Sequence, residues 1–370
     1  MYDQIQEGIL FAMFYASVAM LSLIACLYLL FRDGNAFDAG ITSPVRLRRW
    51  TAVFFAAMTL CHLWYLPITF LSSRDDVMMG YLIAGLLDCM TIIPLAIVIL
   101  FTMLQDRRHP LWPVAVMVAP LVAGMAWCLA SRSEGLLLVP FVYFLLMWFG
   151  LIIYMIRAIR QYGRWLRDNY ADLEHKEVWQ SFVVLIIMLL VYVTYLLDVG
   201  GLIFEYAMEV MLVVLICYLL WRVETLSDLS LPVNDTEEET GVMEHEGDNA
   251  LSLSIRNNIG PLLKKCCEEP QLYLQNDVSL SQLANQIGIN RSYLSKHFAL
   301  QGITYNTYIN GLRIRHFINL YHEAAATHQP VTVQQLAFQS GFRSYNTFSV
   351  AFKKIMGMNT REWIREQIST

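Results

Sequence analysis

The chain of 370 residues has two parts with different hydrophobic patterns. Up to about residue 223 the apolar residues form long blocks, whereas beyond it no apolar run exceeds a few residues. Each block has about the 20 residues that a helix needs to cross a hydrocarbon core of about 30 Å. The pattern predicts an all-α fold with a seven-helix transmembrane domain over residues 1–223, its blocks lying at 8–31, 50–71, 78–104, 111–130, 136–158, 179–201 and 203–222.

Basic residues in the loops between these blocks predict the orientation of the chain. Of the fourteen Lys and Arg residues before residue 223, twelve follow the first, third, fifth or seventh block, and only Arg74 and Arg132 lie in the other loops. Positively charged loops stay in the cytoplasm. We therefore predict a multi-pass protein of the bacterial inner membrane, with its N-terminus outside and everything after Arg222 in the cytoplasm.

Five ionisable residues lie inside the blocks, where such side chains are costly and frequently functional. In the predicted orientation the acids fall in the outer half of the bundle, and the histidine lies near its middle. One interpretation is an outward-opening acidic cavity that senses a cation or a small polar signal. The other is structural, with hydrogen bonds between helices and acids reaching the interface. The five residues are His62, Asp88, Asp198, Glu205 and Glu209.

No arrangement of residues points to catalysis, so we predict that the protein is not an enzyme and holds no cofactor or metal. The only Lys before residue 223 is Lys176, in a predicted cytoplasmic loop, which leaves no retinal Schiff base inside the bundle. The blocks contain no metal or nucleophile motif, and the seven cysteines have no zinc-ligand spacing. A transporter remains an alternative, because Pro67, Pro94 and Pro120 could break helices near a binding site.

Charge separates a linker from a C-terminal domain. Residues 224–250 contain nine acidic residues, no basic residue and no aromatic residue, a composition typical of a flexible linker. Residues 251–370 contain twelve Lys and Arg residues against six Asp and Glu residues, although the net charge of the whole chain is −5. A basic domain behind an acidic linker favours a polyanionic partner.

The C-terminal domain contains an internal repeat. Ala284 recurs as Ala337 and Gly288 recurs as Gly341, each residue 53 positions before its counterpart. Each copy predicts a short helix, a turn at a glycine that accepts the left-handed backbone, and a second helix, which together make a helix-turn-helix unit. The stretch from Tyr305 to Ala326 predicts one connecting helix of about 30 Å, close to the 34–36 Å of one turn of DNA.

Three stretches of this domain resemble the AraC/XylS family of bacterial DNA-binding domains. In order they read SLSQLANQIGINRSYLSKHF, GITYNTYINGLRIRHF and QLAFQSGFRSYNTFSVAFKKIMGMNTREW. The resemblance covers residues 279–363 and none of the membrane part. It implies a monomeric unit with two helix-turn-helix motifs that binds double-stranded promoter DNA and controls transcription, with RNA polymerase as a further partner.

The exposed faces of the second helices carry the candidate DNA contacts. Basic residues there would neutralise phosphates, Arg291 or Lys296 could instead reach guanine, and Asn346 could pair with adenine. Two positions depart from the family pattern: Val350 replaces a basic residue, and no Pro follows Gly357. The first departure leaves the contribution of the second unit open. The candidates are Arg291, Ser292, Ser295, Lys296, Arg343, Ser344, Tyr345, Asn346, Ser349, Lys353 and Lys354.

These patterns together predict a one-component signal transducer. Its membrane bundle, embedded in the lipid bilayer, would sense an unknown small-molecule or ionic signal outside or within the membrane, and its cytoplasmic domain would then change transcription. We expect the signal to act through pairing of two chains into a homodimer, because doubling the contact surface raises DNA affinity. The alternatives are a transporter, or a membrane scaffold whose helix-turn-helix domain binds protein.

Overall fold

The computed structural model describes residues 2–32, 35–36, 42–107, 109–132, 134–196, 201–229, 259–327 and 331–369. Over these ranges the chain is helical and forms no strand, as predicted, and Tyr170 and Ser279 form an isolated antiparallel bridge. The chain divides into two compact units. The first consists of Met1–Tyr162 and His175–Leu231, and the second of Gly163–Glu174 and Pro232–Thr370.

Eight long helices run through the first part of the chain. Short 3-10 helices follow the second of them at Leu66–Phe70 and precede the sixth at Glu134–Leu137. The eight helices are α1 (Tyr2–Phe31), α2 (Val45–Tyr65), α3 (Arg74–Met90), α4 (Ile92–Met103), α5 (Trp112–Ser131), α6 (Leu138–Asn169), α7 (Trp179–Leu196) and α8 (Gly201–Thr225).

Six helical segments of the described chain are long and apolar enough to cross a membrane. The predicted block 179–201 corresponds to α7, and residues 197–200 lie outside the described residues. Seven spans therefore stay a prediction. The six segments are Ile9–Phe31, Val45–Ile68, Arg74–Met103, Trp112–Ser131, Leu138–Asn169 and Glu205–Thr225.

Proline interrupts two of the predicted blocks. The block predicted as continuous over 78–104 forms α3 and α4, with a break at Thr91, where φ is −122° and ψ is −68°. Pro94 accounts for the break, because its nitrogen has no hydrogen to donate to the carbonyl one turn earlier and its ring crowds that carbonyl. Pro67 lies in the 3-10 helix after α2, whereas Pro120 is accommodated inside α5.

Polar contacts tie α1 to α2 within the first unit. Ser22 Oγ donates to the Phe55 carbonyl at 2.8 Å, and Arg48 Nε donates to the Leu29 carbonyl at 2.8 Å. Large apolar side chains also cover the outside of this unit; Phe70 is 79% exposed and Trp127 is 68% exposed. A helix that is apolar on every side is typical of a protein core or a membrane.

Within the second unit, six α-helices follow Ser279 and pack around two hydrophobic cores. The first core includes Leu283, Leu294 and Phe298, and the second includes Phe317 and Phe348. The helices are α9 (Leu280–Ile287), α10 (Arg291–Leu300), α11 (Tyr305–Ala326), α12 (Val333–Gln339), α13 (Tyr345–Met356) and α14 (Thr360–Ser369), preceded by a π-helix (Lys264–Glu268) and a 3-10 helix (Leu272–Leu274).

Candidate nucleic-acid interface

The first helix pair consists of α9 and α10. A capping box starts α9: the Ser279 hydroxyl accepts from the Gln282 backbone nitrogen at 3.2 Å, and Gln282 Oε1 accepts from the Ser279 nitrogen at 2.9 Å. The chain turns at Gly288, which has a φ of +76°. Asn290 then caps α10 by accepting from the Ser292 nitrogen at 2.8 Å.

Helix α10 has a buried face and an exposed face. Leu294 and Phe298 are only 0% and 2% exposed and belong to the first core. On the other face Arg291, Ser292 and Lys296 are exposed and Ser295 is half-buried. Arg291 is not free, because its guanidinium donates to Asn169 Oδ1 from both Nε, at 3.0 Å, and Nη2.

The second helix pair, α12 and α13, repeats this construction with different residues. Thr332 and Gln335 form the capping box of α12, and the chain turns at Gly341, with a φ of +88°. Ser344 caps α13 by accepting from the Thr347 nitrogen at 3.2 Å. Ser344 therefore has a structural role in addition to its predicted DNA contact.

The outer face of α13 differs in charge from that of α10. Phe348 and Phe352 are buried, while Tyr345 and Asn346 are exposed near the start of the helix. Val350 is 64% exposed, so an apolar side chain stands at the centre of this face. The other predicted residues are Lys353 and Lys354, which are exposed, and Arg343 and Ser349, which are half-buried.

The sequence does not predict a role for Arg313 on α11, because the backbone carbonyls that its side chain contacts lie about 40 positions earlier in the chain. Its side chain is 1% exposed, and it donates to the carbonyls of Tyr273 and Gln275, each at 2.7 Å. Its guanidinium also lies 5.5 Å from the ring centroid of Phe342. Burial lowers the pKa of the Arg313 guanidinium, and the charge of Asp172 opposes that shift.

The first unit contains a second candidate site, a polar cluster around α2. His62 Nε2 lies 3.4 Å from Glu209 Oε2, and both residues are buried. His62 Nδ1 lies 2.8 Å from the Met58 carbonyl, and Tyr65 donates to Asp88 Oδ2 at 2.8 Å. The structure thus brings His62 and Glu209 together and gives Asp88 a hydrogen bond between helices.

The remaining predicted sensing residues contribute less to this cluster. Glu205 is half-buried one turn before Glu209 on α8, and Asp198 lies outside the described residues. Within the described ranges, no group of three or more His, Cys, Asp or Glu side chains could hold a metal ion. All seven cysteines are free thiols, and burial raises the pKa of Cys267 to about 12, so it stays protonated.

Comparison with known proteins agrees with the geometry of the second unit. Residues 283–366 match the helix-turn-helix domain family. An uncharacterized HTH-type transcriptional regulator of Staphylococcus aureus strain MRSA252 is 28% identical over 102 residues, which are 27% of this chain and 13% of that protein. The TCP pilus virulence regulatory protein of Vibrio cholerae is 29% identical over 84 residues, 23% of this chain and 29% of that protein.

The C-terminal domain is therefore a helix-turn-helix domain of the AraC type, the kind found in transcription regulators. The match begins at Leu283 within α9, continues through both helix pairs and includes none of the first unit. This chain spans less than a third of the length of each of these two relatives. No solved structure matches the chain.

Proposed function

We propose that the protein is a membrane-embedded transcription regulator that binds promoter DNA through two helix-turn-helix motifs, α9–α10 and α12–α13. The observation that carries this proposal is the repetition of one construction in one chain. Each pair has a capping box, a glycine turn and a second helix whose first turn is capped by a polar side chain. Two such helices suit successive major grooves of one duplex.

The membrane part of the proposal is supported by length and by surface composition. Six segments have the length and hydropathy of membrane spans, and apolar side chains such as Phe31, Trp112 and Trp127 are more than half exposed. Lipid would cover them. With seven spans, the basic loops would place the helix-turn-helix domain on the cytoplasmic side of a bacterial inner membrane.

DNA binding of this kind has a characteristic salt dependence. Exposed Arg and Lys side chains on α10 and α13 would release counterions from phosphates, so affinity would fall steeply as salt rises. A scaffold that binds protein through a few surface charges would show a shallower dependence. RNA polymerase would then be the partner through which promoter binding changes transcription.

A genome-wide map of DNA crosslinked to the full-length protein in its native membrane tests the proposal. We expect a few sharp sites beside promoters, and we expect Lys296→Ala to weaken them. Lys264→Ala is the matched control, because Lys264 is exposed in the π-helix before the first helix pair. A protein that is expressed and inserted but enriches no site under any growth condition would contradict the proposal.

The polar cluster around His62 is the proposed sensing site for a small polar or ionic signal. A ligand acts only through a difference in its affinity for two states of the bundle, and a buried His–Glu pair is costly to rearrange. We expect His62→Gln and Glu209→Gln to abolish the response of the mapped promoters, while Glu205→Gln keeps it. If all three variants respond equally to the signal, the cluster is not the sensing site.

Two further assays test the alternatives. A flux assay tests whether the protein is a transporter, and crosslinking with and without the stimulus tests whether two chains pair into a homodimer.

A further inference from the structure

The segment after α6 is an integral part of the second unit. Tyr170 forms the antiparallel bridge with Ser279, and the Ala171 nitrogen donates to the Val278 carbonyl at 3.4 Å. The Ala171 side chain is 1% exposed and belongs to the first hydrophobic core. We call Asn169–Glu174 the strap, because it runs along this core like a short added strand.

Side chains of α11 hold the middle of the strap. Asn306 Nδ2 donates to the carbonyls of Tyr170, at 3.3 Å, and Ala171, at 2.6 Å. Asp172 is 2% exposed, its charge acts on the buried Arg313, and its Oδ1 accepts from the Glu174 nitrogen at 3.0 Å. The middle of the strap is thus fixed by buried partners.

Both ends of the strap contact the beginning of an outer helix. At one end Asn169 accepts two hydrogen bonds from Arg291, the first residue of α10. At the other end Glu174 Oε2 accepts from the Thr347 hydroxyl at 3.3 Å, in the first turn of α13. Helix N-termini favour anions, and in protein–DNA complexes they contact phosphates. Two strap oxygens therefore occupy positions suited to phosphate oxygens.

We propose that the strap competes with DNA for the N-terminal ends of α10 and α13, so that DNA binds tightly only when the strap leaves. This inference rests on the proposed function, in which these helices bind DNA. Arg291 must give up Asn169 before it can pair with a phosphate. Glu174 places a carboxylate where the phosphate backbone would approach, and like charges repel there.

The strap continues directly from α6, which begins at Leu138 in the first unit and ends at Asn169 in the second. A signal that favours one arrangement of α6 therefore has a direct route to the strap. In this scheme the protein has two states, one with the strap docked and one with it released. A signal shifts the balance between them if it binds the two states of the protein with different affinity.

A reversible disulfide tests the competition in the full-length chain. Residues opposite each other in an antiparallel bridge have Cα atoms about 4.5–5.5 Å apart, within the range that a disulfide spans. The double variant Tyr170→Cys with Ser279→Cys should therefore crosslink the docked strap. In lipid nanodiscs we expect the oxidised variant to bind the best mapped promoter fragment more weakly than the reduced variant, by a factor within the roughly 5- to 150-fold usual for coupled sites.

Each single-cysteine variant serves as the control for oxidation and for the loss of the Ser279 cap. If mass spectrometry shows that the crosslink does not form, the strap does not dock with Tyr170 opposite Ser279, and the inference fails. A formed crosslink with equal DNA affinity in both redox states would overturn the competition while the proposed function stands. Absence of promoter binding in every state would instead refute the proposed function, and the inference with it.

A second pair of variants removes the competitor without any crosslink. Asn169→Ala frees Arg291 and Glu174→Gln removes the carboxylate, and we expect each to raise promoter affinity severalfold. The matched controls are Gln161→Ala and Asp168→Asn, which make similar changes at exposed positions of α6. Unchanged or lower affinity in both strap variants would contradict the competition.

Discussion

The two helix pairs of the second unit share one backbone construction and differ in what surrounds it. Gly288 turns the first pair in open space, since an added Cβ would meet no atom within 4 Å. Gly341 turns the second pair against the Leu274 backbone, where an added Cβ would lie 2.7 Å from the Leu274 Cα. The repeat therefore keeps the positions that form the turn, while the packing around each turn is specific to its pair.

The outer faces of the two pairs differ in the same way. α10 exposes Arg291 and Lys296, whereas α13 exposes Val350 where the first pair has Lys296. Arg343, just before α13, lies 3.6 Å from Asp277. The middle of the outer face is therefore charged in the first pair and apolar in the second, whose exposed Lys353 and Lys354 lie in the last turn of α13. In the proposed complex with DNA, Tyr345 and Asn346 would supply the contacts at the start of α13.

The largest effect is expected at Arg313, because it joins the loop before the first pair to Phe342 of the second. Arg313→Ala would leave the buried carbonyls of Tyr273 and Gln275 without these donors, at a cost of about 1–3 kcal/mol each. It would also remove the positive charge that acts on the buried Asp172. Arg315→Ala, two residues along α11 and exposed, is the matched control. Hydrogen exchange of the second unit, measured in the full-length chain, compares the two variants. Equal protection of the backbone amides in both variants would refute a role for Arg313 in joining the pairs.

The two turn glycines give the next largest effect and a direct contrast between the pairs. Gly341→Ala combines a left-handed backbone with a clash against Leu274, so we expect a loss of about 3 kcal/mol or more. Gly288→Ala meets only the backbone cost, about 1–2 kcal/mol. Thermal unfolding of the full-length protein compares them. Equal losses of stability in the two variants would show that the different packing around the two turns does not affect the free energy of unfolding.

The helix boundaries of this unit could be predicted because their signals are local. The stretch predicted as one connecting helix, Tyr305 to Ala326, is α11 with the same bounds, and the two predicted glycines lie at the turns. The strap and the burial of Arg313 could not be predicted, since each depends on neighbours far away in sequence. The break at Thr91 lies between these cases: Pro94 indicates a disturbance, but tertiary packing decides whether a proline breaks a helix, as Pro120 within α5 shows.

Exchanging the charge between the outer faces tests the comparison in DNA binding. We expect Val350→Lys to add a phosphate contact and Lys296→Ala to remove one. Each would change the slope of log affinity against log salt concentration by about 0.9, in opposite directions. Titration of full-length protein in nanodiscs against the mapped promoter measures both slopes. If Val350→Lys leaves its slope unchanged, α13 does not lie along the phosphate backbone.

The smallest effect is expected at the capping boxes, and here the pairs should agree. Ser279→Ala and Thr332→Ala each remove a side-chain acceptor at the start of a short helix, at a cost of about 1 kcal/mol. Both boxes have the same reciprocal bonds to Gln282 and Gln335, so the losses should match in thermal unfolding. The strap makes one departure informative. Because Ser279 also forms the bridge with Tyr170, a clearly larger loss at Ser279 would mean that the strap adds stability to the first pair, and Tyr170→Ala would then reduce the difference.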